Sequence, residues 1–198
     1  MLKNSVKNKE FTFYADFLSE SESLLLLDRL TDQLHWNEET IIMYGKLIKV
    51  PRLVCWYGDT GTDYRYSGIT HTALPWTKDL QEIKERIEKH TGKQFNSVLG
   101  NLYRNENDSM GWHSDNEKEL GNSPCIASLS LGEERLFKIR HKQSSETLDT
   151  RLTNGSLLVM SGESQSNWKH CVPKTKTKKR PRINLTFRYI FSSDNKNQ

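Results

Sequence analysis

From residue 97 onward the chain is written in short runs of apolar and β-branched residues, SVLGNLYR, PCIASLSL, RLFKIR, GSLLVMS and RINLTFRYIF, separated by Gly, Asn and Pro. Runs of that length between turn formers read as strands, and several in succession satisfy their backbones by pairing in a sandwich or barrel. Upstream, FTFY alternates briefly, and Ser19 with Glu22 three residues later has capping-box spacing ahead of a leucine-rich helix ending near Leu34. Leu80, Ile83 and Ile87 mark one face of a second helix, with Thr77 as its cap and Gly92 as its stop. Helices first and strands afterwards predict a mostly β fold with flanking helices on one side. At 198 residues and 34% hydrophobic, the chain fills one core, so a single domain over 1–198 is expected.

The longest apolar run is LLLL at 24–27, far short of a membrane span, and MLKNSVKNKE has no apolar signal-peptide core. A soluble, unsecreted protein of the cytoplasm, or of the nucleus in a eukaryote, is expected. Cys55, Cys125 and Cys171 lack CxxC spacing and suggest neither a disulfide framework nor a cysteine zinc site. Net charge is only +4, but KTKTKKRPR at 174–182 packs six basic residues into nine, while EKEL and GEER are acidic. A surface polarised in this way suits a polyanion, although a solvated loop has the same composition.

GWHSDNE, residues 111–117, sets His113 and Asp115 two apart, which on an extended segment points both side chains to one face. Two histidines and a carboxylate are the facial set of non-haem iron(II) oxygenases. His35, His71 and His90 precede the strand-rich region, and His141 ends a basic strand. His170, in NWKHCVP after a buried-looking strand and a turn, is therefore chosen as the third ligand. In RINLTFR, Arg182, Asn184, Thr186 and Arg188 share one face and Ile183, Leu185 and Phe187 the other. Arginines turned inward need an anion, which their forked donors engage bidentately; an exposed polar face would show the same alternation. Asn101 and Tyr103 share a face of another strand and offer an amide and a phenol to a carboxylate.

Taken in order, NLYRNENDSMGWHSDNE, SLSLG, GSLLVM, NWKHCVP and RPRINLTFR resemble the AlkB family of iron(II)- and 2-oxoglutarate-dependent nucleic-acid dealkylating dioxygenases, from about residue 43 to 191. The resemblance implies a double-stranded β-helix, or jelly-roll, with a nucleotide-recognition region within 1–95, a catalytic core over 96–191 and a disordered tail at 192–198. It implies iron(II) on His113, Asp115 and His170. It implies 2-oxoglutarate on Asn101, Tyr103, Arg182, Asn184, Thr186 and Arg188, with Arg182 holding the distal carboxylate.

MYGK, VPRLVCWYGD and YRYSGIT look like the recognition region of the branch that repairs duplex DNA. Tyr64 and Tyr66 would enclose an extruded base, and Tyr44, beside Gly45 and Lys46 at a hairpin tip, would fill the gap left in the stack; each is equally an ordinary strand tyrosine. Glu117 matches the family's acidic residue facing a cationic lesion, whereas Asn116 stands where relatives often carry an acid, which leaves the preferred lesion open. KTKTKKRPR would contact the strand opposite the lesion. The implied activity is oxidative demethylation of 1-methyladenine and 3-methylcytosine in DNA, with oxygen and 2-oxoglutarate as co-substrates and the methyl released as formaldehyde. Methylated RNA or tRNA as substrate, a non-catalytic nucleic-acid binding relative and, more distantly, a zinc hydrolase are the alternatives. Nothing in the chain demands a partner subunit, so a monomer is expected.

Overall fold

The computed structural model describes residues 9–43, 45–62, 64–66 and 69–191. In chain order the elements are β1 (Phe11–Tyr14), α1 (Glu20–Gln33), β2 (Asn37–Met43), β3 (Lys46–Gly58), β4 (Tyr64–Tyr66), β5 (Ile69–His71), α2 (Lys78–Thr91) and β6 (Ser97–Tyr103). There follow β7 (Met110–His113), β8 (Ile126–Gly132), β9 (Arg135–His141), β10 (Thr147–Leu152), β11 (Leu157–Met160), α3 (Ser164–Asn167), β12 (Trp168–Val172) and β13 (Arg182–Arg188). The helix signals act as expected. Ser19 Oγ accepts from the Glu22 amide at 3.3 Å, Thr77 Oγ1 accepts from Leu80 at 3.3 Å, and Gly92 closes α2 at φ 66°. The Glu22 carboxylate, expected to complete a capping box, instead accepts from Arg86 of α2 at 2.7 Å.

The major sheet has seven strands in the order β1-β11-β8-β13-β6-β3-β2, and the minor sheet four in the order β10-β9-β12-β7. All of their pairings are antiparallel. The helices cover the outer face of the major sheet, where Leu30, Leu80 and Ile87 pack with Leu129, Ile183, Leu185 and Phe187. Its inner face meets the minor sheet through Phe11, Tyr103, Ile126, Phe137, Ile139 and Trp168. Both faces of the central strands are therefore covered, and every residue of β13 is buried. Gly100 interrupts the β6 pattern because β3 and Trp36 lie close: a Cβ there would stand 2.5 Å from Cys55 Sγ and 3.1 Å from the Trp36 ring.

The simple order of helices then strands is corrected. β1, β2 and β3 join the major sheet, and α2 enters only after five strands. β2 and β3 escape a pattern search because β2 is the sheet's edge, KLIK is exposed at all four positions, and Pro51 interrupts β3. Pro51 is tolerated because the β2–β3 register shifts between Glu38–Leu53 and Thr40–Lys49, leaving residues 50–52 in a bulge where no ladder donor is required. Among the described residues no helix is long and apolar enough to cross a membrane. Tyr44 and the tail at 192–198 lie outside the described residues.

Candidate active site

His113 ends β7 and His170 lies within β12, and the two residues are register partners across the minor sheet, with ring centroids 4.2 Å apart. Asp115 is not on an extension of the strand, as the two-residue spacing suggests. The ladder stops at His113, and the chain turns away. Ser114 Oγ donates to the Trp168 carbonyl at 2.7 Å, and the Asp115 amide donates to Gln165 Oε1 at 2.9 Å. These two bonds fasten the turn to α3 and the start of β12 and swing the carboxylate between the histidines. Its Oδ1 stands 3.9 Å from His113 Nε2 and its Oδ2 3.8 Å from His170 Nε2. Those separations exceed hydrogen-bond reach, so the donor atoms are not spent on one another.

Each ligand candidate is held in its metal-binding state. His113 Nδ1 lies 2.8 Å from the Gly111 carbonyl, which can only accept. Nδ1 therefore donates to that carbonyl, which leaves Nε2 as the ring nitrogen that faces the carboxylate. Burial, reinforced by His113, pushes His170 down to about 3, so its ring is neutral. Burial alone would push the Asp115 carboxyl up, but Arg188, donating to Oδ1 at 2.9 Å, leads the neighbours that draw it down to about 2. Two imidazoles and one carboxylate, with ligand atoms all within 4.8 Å of one another, fit a divalent iron.

The polar face of β13 is buried rather than exposed and looks onto the same space. Asn184 Nδ2 donates to Ser128 Oγ at 2.8 Å, and Thr186 Oγ1 donates to Asn184 Oδ1 at 3.1 Å. Arg182 is 1% exposed and donates through Nη2 to Ser130 Oγ at 2.9 Å, while its guanidinium lies 5.0 Å from the Tyr103 ring centroid. Its Nε and Nη1 are buried without a hydrogen-bond partner. Burial pushes its pKa down to about 10, which still leaves it charged at neutral pH. A buried cation with two idle donors is costly unless an anion completes it, so a carboxylate fits here. Asn101, across the β13–β6 ladder from Asn184, accepts from Arg52 Nε at 2.6 Å through its Oδ1.

The pocket thus brings together His113, Asp115, His170, Asn101, Tyr103, Asn184, Thr186 and Arg188, with Arg182 packed on Tyr103. Arg188, read as a co-substrate residue, is also the partner of Asp115. Gly45 follows β2 at φ 72°, Lys46 begins β3, and Tyr64 and Tyr66 lie on β4, which pairs with β5. Asn116 is exposed, and Glu117 precedes the 3-10 turn Lys118–Leu120 with Oε2 buried and unpartnered. Ser114, Gln165, Ser128, Ser130 and Arg52 were not anticipated. Of these only the serines leave a trace, since SLSLG alternates Ser128 and Ser130 against Leu129 and Leu131.

Residues 10–188 match the family model described as the 2OG-Fe(II) oxygenase superfamily. The chain is 42% identical over 188 residues to the human alpha-ketoglutarate-dependent dioxygenase alkB homolog 3, an alignment covering 90% of this chain and 65% of that protein. It is 40% identical over 157 residues to the human DNA oxidative demethylase ALKBH2, covering 75% of this chain and 60% of that protein. A solved structure titled "The structure of OsALKBH1" superposes with a TM-score of 0.66 over 92% of this chain and 99% of that one, at 17% identity, a likeness of fold. The chain spans a little under two thirds of the length of the alkB homolog 3 relatives it matches.

Proposed function

The chain belongs to the AlkB family of the 2OG-Fe(II) oxygenase superfamily, and from that footing we propose that it is an iron(II)- and 2-oxoglutarate-dependent dioxygenase that removes N-alkyl groups from bases in DNA. 1-Methyladenine and 3-methylcytosine are the proposed lesions. The overall change takes methylated base, oxygen and 2-oxoglutarate to free base, formaldehyde, succinate and carbon dioxide. The observation that carries the reading is Arg182, a buried cation with two idle donors in the polar interior that also holds His113, Asp115 and His170. A metal site alone would not require it; a dicarboxylate co-substrate does.

Iron(II), when bound to His113, Asp115 and His170, supplies the oxidising chemistry. The chain's own residues set the geometry. Ser114 and Gln165 fix the Asp115 backbone, Gly111 fixes the His113 tautomer, and Arg188 keeps Asp115 ionised. Arg182, with Ser130 and Tyr103 around it, would take the distal carboxylate of 2-oxoglutarate, while Asn101, Asn184, Thr186 and Arg188 would line the rest of its length. The base would enter beside β4, where Tyr64 and Tyr66 would enclose it. Tyr44, Gly45 and Lys46 would meet the gap in the stack, and Asn116 and Glu117 would face the lesion. DNA is preferred over RNA as the proposed substrate because relatives at 40% identity are named DNA oxidative demethylases. We assign nucleotide recognition to 1–95 and catalysis to 96–191, acting as a monomer in the cytoplasm or nucleus.

Oligonucleotides carrying one 1-methyladenine or 3-methylcytosine, as single-stranded DNA, duplex DNA and RNA, test this by mass spectrometry with iron(II), ascorbate and 2-oxoglutarate. Loss of the methyl mass from DNA, abolished when 2-oxoglutarate is withheld, is expected. Loss from RNA alone would overturn the DNA assignment, and intact methyl groups on every strand would overturn the dealkylase reading.

A further inference from the structure

The most basic run of the sequence is partly neutralised. Lys178 pairs with Glu106 at 3.1 Å, Lys179 and Arg180 pair with Glu133 at 3.0 and 3.1 Å, and Arg182 is withdrawn into the site. A second group of positive charge lies on the outer face of the minor sheet. In β12 and β9, Lys169 and Arg140 are direct cross-strand partners, a like-charge juxtaposition that disfavours the sheet unless an anion lies between them. Lys138 follows two residues from Arg140 on the same face, about 7 Å along the strand. Among the described residues no ion pair ties Lys138, Arg140 or Lys169 to a carboxylate. Asp149 stands across from Lys138 in β10, the nearest acid in register. Lys142, whose ammonium donates to the Gln165 carbonyl at 2.8 Å, is held below the usual lysine range by burial and then by the charge of Lys169.

An aromatic surface joins these cations. Trp112 is 40% exposed, with the Arg140 guanidinium 4.3 Å from its ring centroid. Alternation makes the placement unavoidable: Trp112 precedes His113 and Lys169 precedes His170, so when the ligands point inward these two point outward. β7 is the last strand of its sheet. His113 is also the most exposed ligand, with 20% of its side chain accessible against 5% for Asp115 and His170. The ligand set is therefore most accessible at His113, on the edge strand β7 whose outer face carries Trp112.

We propose that Trp112, Arg140, Lys169 and Lys138 form a docking surface for the single-stranded segment of nucleic acid that flanks the nucleotide in the site. The proposal rests on the nucleic-acid reading above and adds where the flanking strand runs: over the outer face of the minor sheet and around β7. Phosphates lie between the facing cations and a base stacks against the Trp112–Arg140 pair, which a duplex, with its bases enclosed, could not supply.

Fluorescence anisotropy of a labelled, unmodified oligothymidylate with the iron-free full chain tests this without turnover. Arg140→Glu with Lys169→Glu is expected to weaken binding at least about tenfold and to lower the slope of log affinity against log salt by about 1.4, two phosphate contacts' worth for a single strand. Trp112→Ala is expected to weaken it by about tenfold, the effect of one stacked base. Thermal melting of each variant by circular dichroism is expected to match the wild type, since all the altered side chains are on the surface. Wild-type affinity and slope in both variants would overturn the surface while leaving the nucleic-acid reading standing. No binding of oligothymidylate by the wild-type chain, or binding only to vesicles of anionic lipid, would overturn the surface without reference to demethylation. A methylated trinucleotide, too short to reach over β7, is expected to be demethylated equally by wild type and double variant, whereas KM for a longer methylated strand rises in the variant.

Discussion

Arg182 is a charge held out of water for a purpose that the ligand-free protein does not itself serve, since two of its donors have nothing to bind. Replacing a buried, incompletely paired cation by an apolar side chain of similar length is often neutral or stabilising. Arg182→Met is therefore expected to keep or raise the melting temperature while raising the KM for 2-oxoglutarate about 10–100-fold, the effect of losing a charge-assisted pair worth about 1.5–3 kcal/mol. A fall in stability with unchanged KM would show that the arginine is only a core residue. Gln165 presents the opposite case, a neutral group whose loss is felt at the metal. Gln165→Leu leaves the buried Asp115 amide without its acceptor and is expected to weaken cobalt(II) binding about 10–100-fold, as loss of outer-shell support does, read from the visible absorption of the bound ion. At this scale the sequence announces the residues that alternate on one strand, such as Arg182, Asn184, Thr186 and Arg188. It is silent about Gln165, whose bond to Asp115 spans 50 positions and follows no period.

The elements differ in how openly they are written. α2 is legible because its boundary signals are local: the Thr77 hydroxyl, the left-handed Gly92 and an apolar face at Leu80, Ile83 and Ile87. β2 and β3 are not, because edge exposure and the Pro51 bulge replace alternation. β7 hides its ligand turn for another reason. Where a strand ends is decided by its partner, and Asp115 leaves the ladder because α3 and β12 offer it hydrogen bonds. The turn between β6 and β7 is pinned by Asp108, which accepts from the Arg104 amide at 2.9 Å and from Arg104 Nε and Nη2 at 2.8 and 2.9 Å. Burial raises the pKa of Asp108, and the Arg104 bonds lower it by more, so the net shift is downward. A carboxyl depressed in the folded state binds fewer protons there than when unfolded. Its contribution is thus complete above the ordinary aspartate pKa of about 3.9 and fades as pH falls through the folded value. In urea titrations Asp108→Asn is expected to be less stable than wild type at neutral pH, with the gap narrowing toward about pH 3; a gap independent of pH would contradict the ion-pair account.

At the scale of the molecule, two sheets enclose a polar interior that a helix-backed β fold would ordinarily fill with apolar side chains. The helix layer seals the outer face of the major sheet, so the whole inner face of β13 is free to serve a site. Hydrophobic period revealed the two helices, five of the strands and their mostly β character. The pairing order that sets β13 between β6 and β8, and the minor sheet across from it, depends on long-range register that no local pattern carries. Such an interior is stabilised from within by its ligands. Manganese(II) with 2-oxoglutarate is expected to raise the melting temperature in proportion to the logarithm of ligand concentration, and His113→Ala to abolish the metal-dependent part of the rise. The central claim is that oxygen, 2-oxoglutarate and a methylated base meet in this one cavity. Its most direct test counts succinate, formaldehyde and restored base together after turnover on DNA carrying 1-methyladenine. Equal amounts of all three are expected, and about 10–100-fold less of each from the Arg182→Met protein at low 2-oxoglutarate. Succinate without formaldehyde would contradict the substrate, and none of the three from iron-loaded wild type would contradict the oxygenase itself.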